Sequence, residues 1–462
     1  MKNDFFDFPA ISKADWIAQV KKDLKGKDFE QALKSHLWGR ISLDPFYTRE
    51  DLGGSLPHQY SFHPESEVPG ESVRIWQNIT SVLPGDTSAQ VLDALQNGSE
   101  GLVLHLTGLE DLDQLLEGVL PQYIPIAIRP MGNPVTALKS YFDWVDRQSA
   151  PLDRIQGALL WSPSDLVFDQ NEAFGLGLEV LEEIFEMTEP YPQFKAFALQ
   201  ASRYTESGAN PIDGTIFILG ELIEILDQST QKPDFIFNKV LFEVAVGENY
   251  FGEIARLKAL RQVLTQLAKL YQVELSEDQV CLLAKSAHWD QSTLDVNTNL
   301  IRQTYQAMSG VLGGCNWLWV LPLGEDQAGS RERRIARNVS AVLREEAYLD
   351  KVMDPASGSF FLENLQSQIE HEIREGLQNL ESFGGWLRML TDGVIHSKVR
   401  TERERVQEQV LEKNKSKIGV NIFPASEKLK NDMAFEFFEE KIHQLQPTRA
   451  TYLFELQTQT NP

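Results

Sequence analysis

The densest run of functional side chains in this 462-residue sequence is Arg331-Glu332-Arg333-Arg334-Ile335-Ala336-Arg337. Guanidiniums at this spacing could hold a phosphate or a carboxylate, because each offers a planar fork of donors. The same types also describe a solvated helix start with local Arg–Glu pairs. Cations near a helix N-terminus oppose the macrodipole, so this run calls for an anionic neighbour. A second stretch, Asp354-Pro355-Ala356-Ser357-Gly358-Ser359, has the composition of a phosphate loop. It lacks the Gly-Lys-Ser/Thr ending of a P-loop and reads better as a tight turn. None of the eight histidines pairs at i,i+4, and none has zinc spacing. His288, just beyond an apolar run, is the one histidine placed for chemistry. There is no Gly-x-Ser-x-Gly elbow and no recognisable nucleophile–base pair.

The elements that must position these groups repeat. Apolar runs at 73–79, 101–106, 124–128, 157–161, 194–201, 235–246, 280–285 and 316–321 are short, rich in branched or aromatic residues, and bounded by breakers. A helical pattern follows each. The clearest, over 251–272, repeats Leu257, Leu260, Leu264, Leu267 and Tyr271 at three- and four-residue spacing. Turns such as Pro84-Gly85-Asp86 and Pro130-Met131-Gly132-Asn133-Pro134 separate the units. Strand–helix alternation predicts a parallel sheet. Eight such units predict an α/β fold, a (β/α)8 TIM barrel, which puts His288 at the carboxyl end of the seventh strand. An open doubly wound sheet is the rival, without the Gly-x-Gly-x-x-Gly of its dinucleotide-binding form. The predicted organisation is an N-terminal arm over 1–60, the barrel over 61–360 and a helical C-terminal extension over 361–462. The arm carries an amphipathic helix at 13–25 with Trp16, Ile17, Val20 and Leu24 on one face. The extension carries charged helices at 362–380 and 394–417, and a tail from Ser426 that starts helical.

The formal net charge is -24. Such a surface repels nucleic acid and anionic membranes. No apolar run approaches the roughly 20 residues of a membrane span. The two cysteines, Cys281 and Cys315, imply no disulfide framework. A cytoplasmic location is expected, since the first residues lack a secretory pattern.

Several stretches resemble the methylmalonyl-CoA mutase family, in order, from near the first residue to about residue 424. They are Trp38-Gly39-Arg40-Ile41-Ser42-Leu43-Asp44-Pro45-Phe46-Tyr47-Thr48, Glu206-Ser207-Gly208-Ala209, Arg334-Ile335-Ala336-Arg337-Asn338 followed by Asp354-Pro355-Ala356-Ser357-Gly358-Ser359-Phe360-Phe361, and Gly419-Val420-Asn421. The resemblance implies a (β/α)8 barrel, in agreement with the unit count.

The departures shape the functional expectation. Catalytic chains of the family carry Arg-Gln-Tyr on the first strand, where this sequence aligns Arg74-Ile75-Trp76. The family histidine that bonds the thioester carbonyl aligns with Arg203. The polar run of the eighth strand is replaced by Trp317-Leu318-Trp319-Val320-Leu321. No Asp-x-His-x-x-Gly motif occurs, and the stretch after Pro424 is shorter than the roughly 100 residues of a cobalamin-binding domain. The resemblance therefore implies a non-catalytic small subunit in a heterodimer, inactive alone and without a cofactor of its own. Its large catalytic partner would bind adenosylcobalamin and interconvert methylmalonyl-CoA and succinyl-CoA. The alternative is an active acyl-CoA mutase barrel completed by a separate cobalamin-binding chain. Arg74, Trp76, Arg203, Lys285 and His288 are the candidates for a vestigial pocket, and the aromatic replacements are expected to fill the channel as ordinary core.

Overall fold

The computed structural model describes residues 11–53, 57–63, 73–424, 435 and 437–460. The barrel strands are β1 Gln77–Val82, β2 Gly101–Leu106, β3 Ile126–Pro130, β4 Gly157–Leu159, β5 in two pieces (Phe194–Lys195 and Phe197–Gln200), β6 Val240–Val246, β7 Leu282–Ser286 and β8 Trp317–Trp319. Every barrel pairing is parallel, because a helix carries the chain back between consecutive strands. β8 pairs with β1, with Trp317 opposite Gln77, which joins the last strand to the first. In β5, Lys195 pairs with Ala158 of β4, and Phe197 pairs with Val240 of β6. Ala196 alone separates the two pieces, so the ring passes through one chain segment. The result is the predicted (β/α)8 barrel, not the open sheet.

Close strand packing sets some residues directly. A Cβ on Gly157 would lie 2.2 Å from the Ile126 carbonyl oxygen and 2.5 Å from the Phe194 ring. Only glycine lets β4 begin between β3 and β5. The barrel interior then alternates with period two. Ile79, Val103, Ala127, Ala158, Ala198, Leu241, Leu283 and Trp317 form one apolar cluster inside the ring. Two residues further along the chain stand Ser81, His105, Arg129, Gln200, Glu243 and Lys285, with Leu160 and Trp319 continuing the apolar cluster among them. An apolar plug therefore supports a polar layer at the carboxyl end.

Two predicted strands move. The run at 235–246 begins as a helix, Pro233–Lys239, with proline in its first turn, and becomes a strand only at Val240. Proline presets the helical φ, and Lys239 Nζ pins the helix end by donating to the carbonyls of Thr188 and Tyr191, both at 2.7 Å. Its alternating aromatics mimic a strand. The first strand starts at Gln77 rather than 73.

Outside the barrel, the arm contains the helix Lys13–Asp23, capped reciprocally by Ser12 and Asp15, and the hairpin Ser35–Leu37/Ile41–Leu43. None of the arm helix's residues is buried. Arg40 ties the hairpin to Asp213 at 2.5 Å, and Asn210 Nδ2 donates to the Trp38 carbonyl at 2.7 Å. The helices Phe360–Ser382 and Val394–Leu411 follow the barrel. In Glu206-Ser207-Gly208-Ala209, Gly208 has φ +100°, and a Cβ there would meet Arg403 Cβ at 2.5 Å. The turn needs glycine for its backbone and for the helix against it. The first part of the predicted tail, from Ser426, falls outside the described residues. The chain's last described element is the helix Tyr452–Thr460.

Candidate functional site

The polar layer opens into a cavity of about 440 Å³ at the carboxyl ends of the strands. Loops after β1, β7 and β8, the start of the helix Ser330–Glu345, and Pro447 from the C-terminal segment complete its wall. Barrel chemistry belongs at this end, because loops there can vary without disturbing the core.

The charges around the cavity are largely matched. Lys285 Nζ lies 3.2 Å from Glu243 Oε1, and Ser202 Oγ donates to the same oxygen at 2.6 Å. Burial alone would push the Glu243 carboxyl up. Lys285, Arg129 and Ser202 outweigh it and hold the carboxyl at about 2. Its other oxygen, Oε2, is buried without a hydrogen-bond partner. Glu206 accepts the backbone N–H groups of His288 at 3.1 Å and Trp289 at 2.9 Å, and burial raises its pKa. His288 Nδ1 sits 2.7 Å from Glu325 Oε1. Burial disfavours the imidazolium, but Glu325 prevails and raises the His288 pKa. Burial likewise opposes the Glu325 carboxylate, which His288 nevertheless holds at about 2.

His105 and Arg129 are different. Burial, then the charge of Arg129, pushes His105 down to about 4, so it is neutral near pH 7. Its Nε2 is buried without a hydrogen-bond partner. The Arg129 guanidinium lies 5.7 Å from the centre of the Trp319 ring. Trp319 is fixed in turn by its Nε1–H, which donates to Ser81 Oγ at 3.1 Å.

A strap formed by residues 446–455 crosses this end. The Thr448 N–H donates to the Glu206 carbonyl, and the Ala450 N–H to that of Trp289, both at 2.9 Å. Glu455 is fully buried and gathers Ser292 Oγ, the Thr293 N–H, Thr451 Oγ1 and Arg449. Arg449 also reaches within 3.4 Å of His288 Nε2.

Of the candidate pocket residues, the structure brings only Lys285 and His288 to the cavity, together with Trp319. Arg74 and Trp76 precede β1 and lie at the opposite, amino end of the barrel. Trp76 is fully buried between strand and helix, with Nε1 donating to Ser340 Oγ at 2.9 Å and Arg344 over its ring at 4.8 Å. It does not fill a channel, because β1 begins one residue after it and runs away from it. Arg203 pairs with Asp165 and with Asp169, the latter at 2.8 Å, on the loop side of β5. The expectation of ordinary barrel core needs a matching correction. Trp317 and Trp319 do point inward, but the layer around Trp319 stays polar.

Two arginines of that run, and one further along its helix, find anions within the chain. Arg333, Arg337 and Arg344 pair with Asp86, Asp93 and Glu100, joining the eighth unit to the first. Asp354 pairs with Lys258 at 3.0 Å and caps the Tyr60 N–H, which supports the turn reading of that stretch. The sequence reading passed over His105, Arg129 and Glu243. Their signal was a lone polar side chain at or beside an apolar strand run, as in Leu241-Phe242-Glu243-Val244.

The described residues contain no group of three or more His, Cys, Asp or Glu side chains able to hold a metal ion. No helix among them is long and apolar enough to cross a membrane. Comparison with known proteins matches residues 88–459 to the family described as methylmalonyl-CoA mutase. A methylmalonyl-CoA mutase small subunit of Porphyromonas gingivalis is 25% identical over 441 residues, covering 91% of this chain and 71% of that protein. The small subunit of Streptomyces virginiae is 26% identical over 443 residues, covering 90% and 71%. The mitochondrial methylmalonyl-CoA mutase of Bos taurus is 21% identical, covering 88% of this chain and 60% of that protein.

Proposed function

The chain belongs to the methylmalonyl-CoA mutase family, and from that premise we propose that it is the non-catalytic small subunit of a heterodimeric mutase. Its large partner carries adenosylcobalamin and interconverts methylmalonyl-CoA and succinyl-CoA in the cytoplasm. The observation that supports this most is the filled barrel axis. Trp317 and Trp319 stand on it, and Glu243 occupies Lys285. Radical rearrangement of a thioester needs a channel along that axis, lined with small polar groups.

The residues at the mouth also fit a corrin poorly. His288 is engaged by Glu325 and Arg449, His105 sits within the barrel, and the strap passes over the loops after β5 and β7. Cobalamin chemistry is therefore assigned to the partner. None of the arm helix's residues is buried, which supports a partner surface. The two relatives named small subunit share this chain over about nine-tenths of its length.

The test is the native mass and composition of the tagged chain drawn from its own cells. A one-to-one complex with a larger, cobalamin-bearing mutase chain is the expected outcome. A lone monomer or homodimer would overturn the reading. Acyl-CoA turnover by this chain on adding a separate cobalamin-binding protein would establish the alternative, an active barrel completed in trans.

A further inference from the structure

We propose that the mouth cavity is a binding site for a short-chain monocarboxylate, held by Arg129. The site lies within this one chain, so it stands or fails separately from the subunit assignment.

The first observation is the accounting of charge. Lys285, Arg333 and Arg337 line the cavity, and each has a carboxylate partner: Glu243, Asp86 and Asp93. Arg129 lines the same cavity and has a ring contact with Trp319, but no carboxylate partner among the described residues. Its contact with the Trp319 ring, at 5.7 Å from the centroid, consumes none of its donors. A guanidinium so placed presents a fork that matches a carboxylate.

Ser81 and His105 line the same cavity. Ser81 Oγ accepts the Trp319 N–H, which leaves its own proton to donate. His105 is neutral and its buried Nε2 has no partner, so the tautomer protonated there supplies a second neutral donor. An anion bridging Arg129, Ser81 and His105 would satisfy a nitrogen that is otherwise buried at a cost.

The rest of the wall sets the ligand's charge and body. Glu206, Glu243 and Glu325 surround the polar layer, and a dianion would meet their repulsion. A single negative charge is the better match to one unpaired arginine. Ile79, Met131, Val320, Leu321 and Pro322 give an apolar side suited to a few methylene groups. Trp317 and Trp319 close the axis below, so a long pantetheine-like arm has no path through the barrel.

The experiment titrates the purified full-length chain with acetate, propionate and butyrate at fixed ionic strength, following tryptophan fluorescence and heat. Inorganic phosphate and chloride are run in parallel. Saturable carboxylate binding is expected with a dissociation constant on the order of 1 mM. R129Q should weaken it about tenfold or more, and S81A should weaken it less. R129K, which keeps the charge and loses the fork, should recover part of the affinity, and the urea midpoint of each variant separates lost binding from lost folding. Arg344→Gln, at the other end of the barrel, should leave it unchanged. Tighter binding of phosphate than of any carboxylate would overturn the ligand class. Absence of saturation for every anion, or equal binding by R129Q with its fold intact, would overturn the site.

Discussion

The two ends of the barrel use one pairing, an arginine over an aromatic ring, to different effect. At the amino end, Arg74 and Arg261 lie over the Phe62 ring at 5.2 and 5.4 Å. Their terminal nitrogens are spent on backbone carbonyls and, for Arg261, also on Asn316 Oδ1 at 3.1 Å. Arg261 takes those of Glu277, Val280 and Gly314, the last two at 2.7 Å, and Arg74 takes those of Ile75 and Cys315. Burial is severe enough to push both guanidiniums down to about 10, yet they stay charged at neutral pH. At the carboxyl end, Arg129 over Trp319 retains its donors. An arginine on a ring is thus a post or a recognition group according to where its remaining N–H groups go.

The sharpest way to break this contrast is Trp76→Ala. The residue is fully buried at the amino end, so its loss should cost about 3–5 kcal/mol of unfolding free energy. Carboxylate affinity at the mouth should not change in the folded fraction. Urea denaturation with an unaltered slope, together with the titration above, checks both halves. A loss of affinity without loss of stability would mean that Trp76 belongs to the site after all.

Arg261→Met comes next. It removes a buried charge but strands the Val280 and Gly314 carbonyls, and about 2–4 kcal/mol of stability should go with them. Arg129→Met at the mouth should cost no more than about 1 kcal/mol, because no hydrogen bond among the described residues uses its donors.

The third expectation concerns acid. His105 is held at about 4 in the folded chain, against an ordinary value of 6.5. Between those values the unfolded chain binds a proton that the folded chain does not, so stability falls as pH drops through that window. Glu243, held at about 2 against an ordinary 4.5, adds a second loss as pH falls from 4.5 towards 2. The arginines of the amino end do not titrate in either window. His105→Gln should therefore flatten the urea midpoint between about pH 6.5 and 4, and Arg74 variants should leave that slope alone.

The smallest effect lies on the flank between the ends. Arg333→Ala breaks a pair with Asp86 at 2.7 Å that is partly open to solvent. It should cost about 0.5–1 kcal/mol and lose its effect at high salt.

Most of the architecture was legible because period-two and period-3.6 patterns are local. The runs at 101–106 and 280–285 fell on β2 and β7 with little displacement. The run at 235–246 misled because Phe235 and Phe237 alternate in sequence while Pro233 starts a helix. At the site, His288 follows from its place at a strand end and Trp319 from the family resemblance, and both line the cavity with Lys285. Trp76 and Arg203 follow only from the family resemblance. A shift of a few residues along a strand moves a side chain from one end of a barrel to the other, and no local pattern registers that shift. Arg129 was passed over because its meaning is the lack of a partner, and a sequence does not list partners.

By itself, then, the sequence determined the alternating units, the closed barrel they imply, and the family to which its motifs point. Those properties depend on residues close in the chain and on the repeat of one strand–helix step. The tertiary structure alone decided which end of the barrel each arginine occupies and which carboxylate it meets. Arg333 finds Asp86 across 247 positions, and Arg261 finds the Gly314 carbonyl across 53. Among the described residues Arg129 pairs with no carboxylate, although Glu243 and Glu325 are near enough to feel its charge. Electrostatic pairing is fixed by distance in space, and only closure of the ring sets those distances.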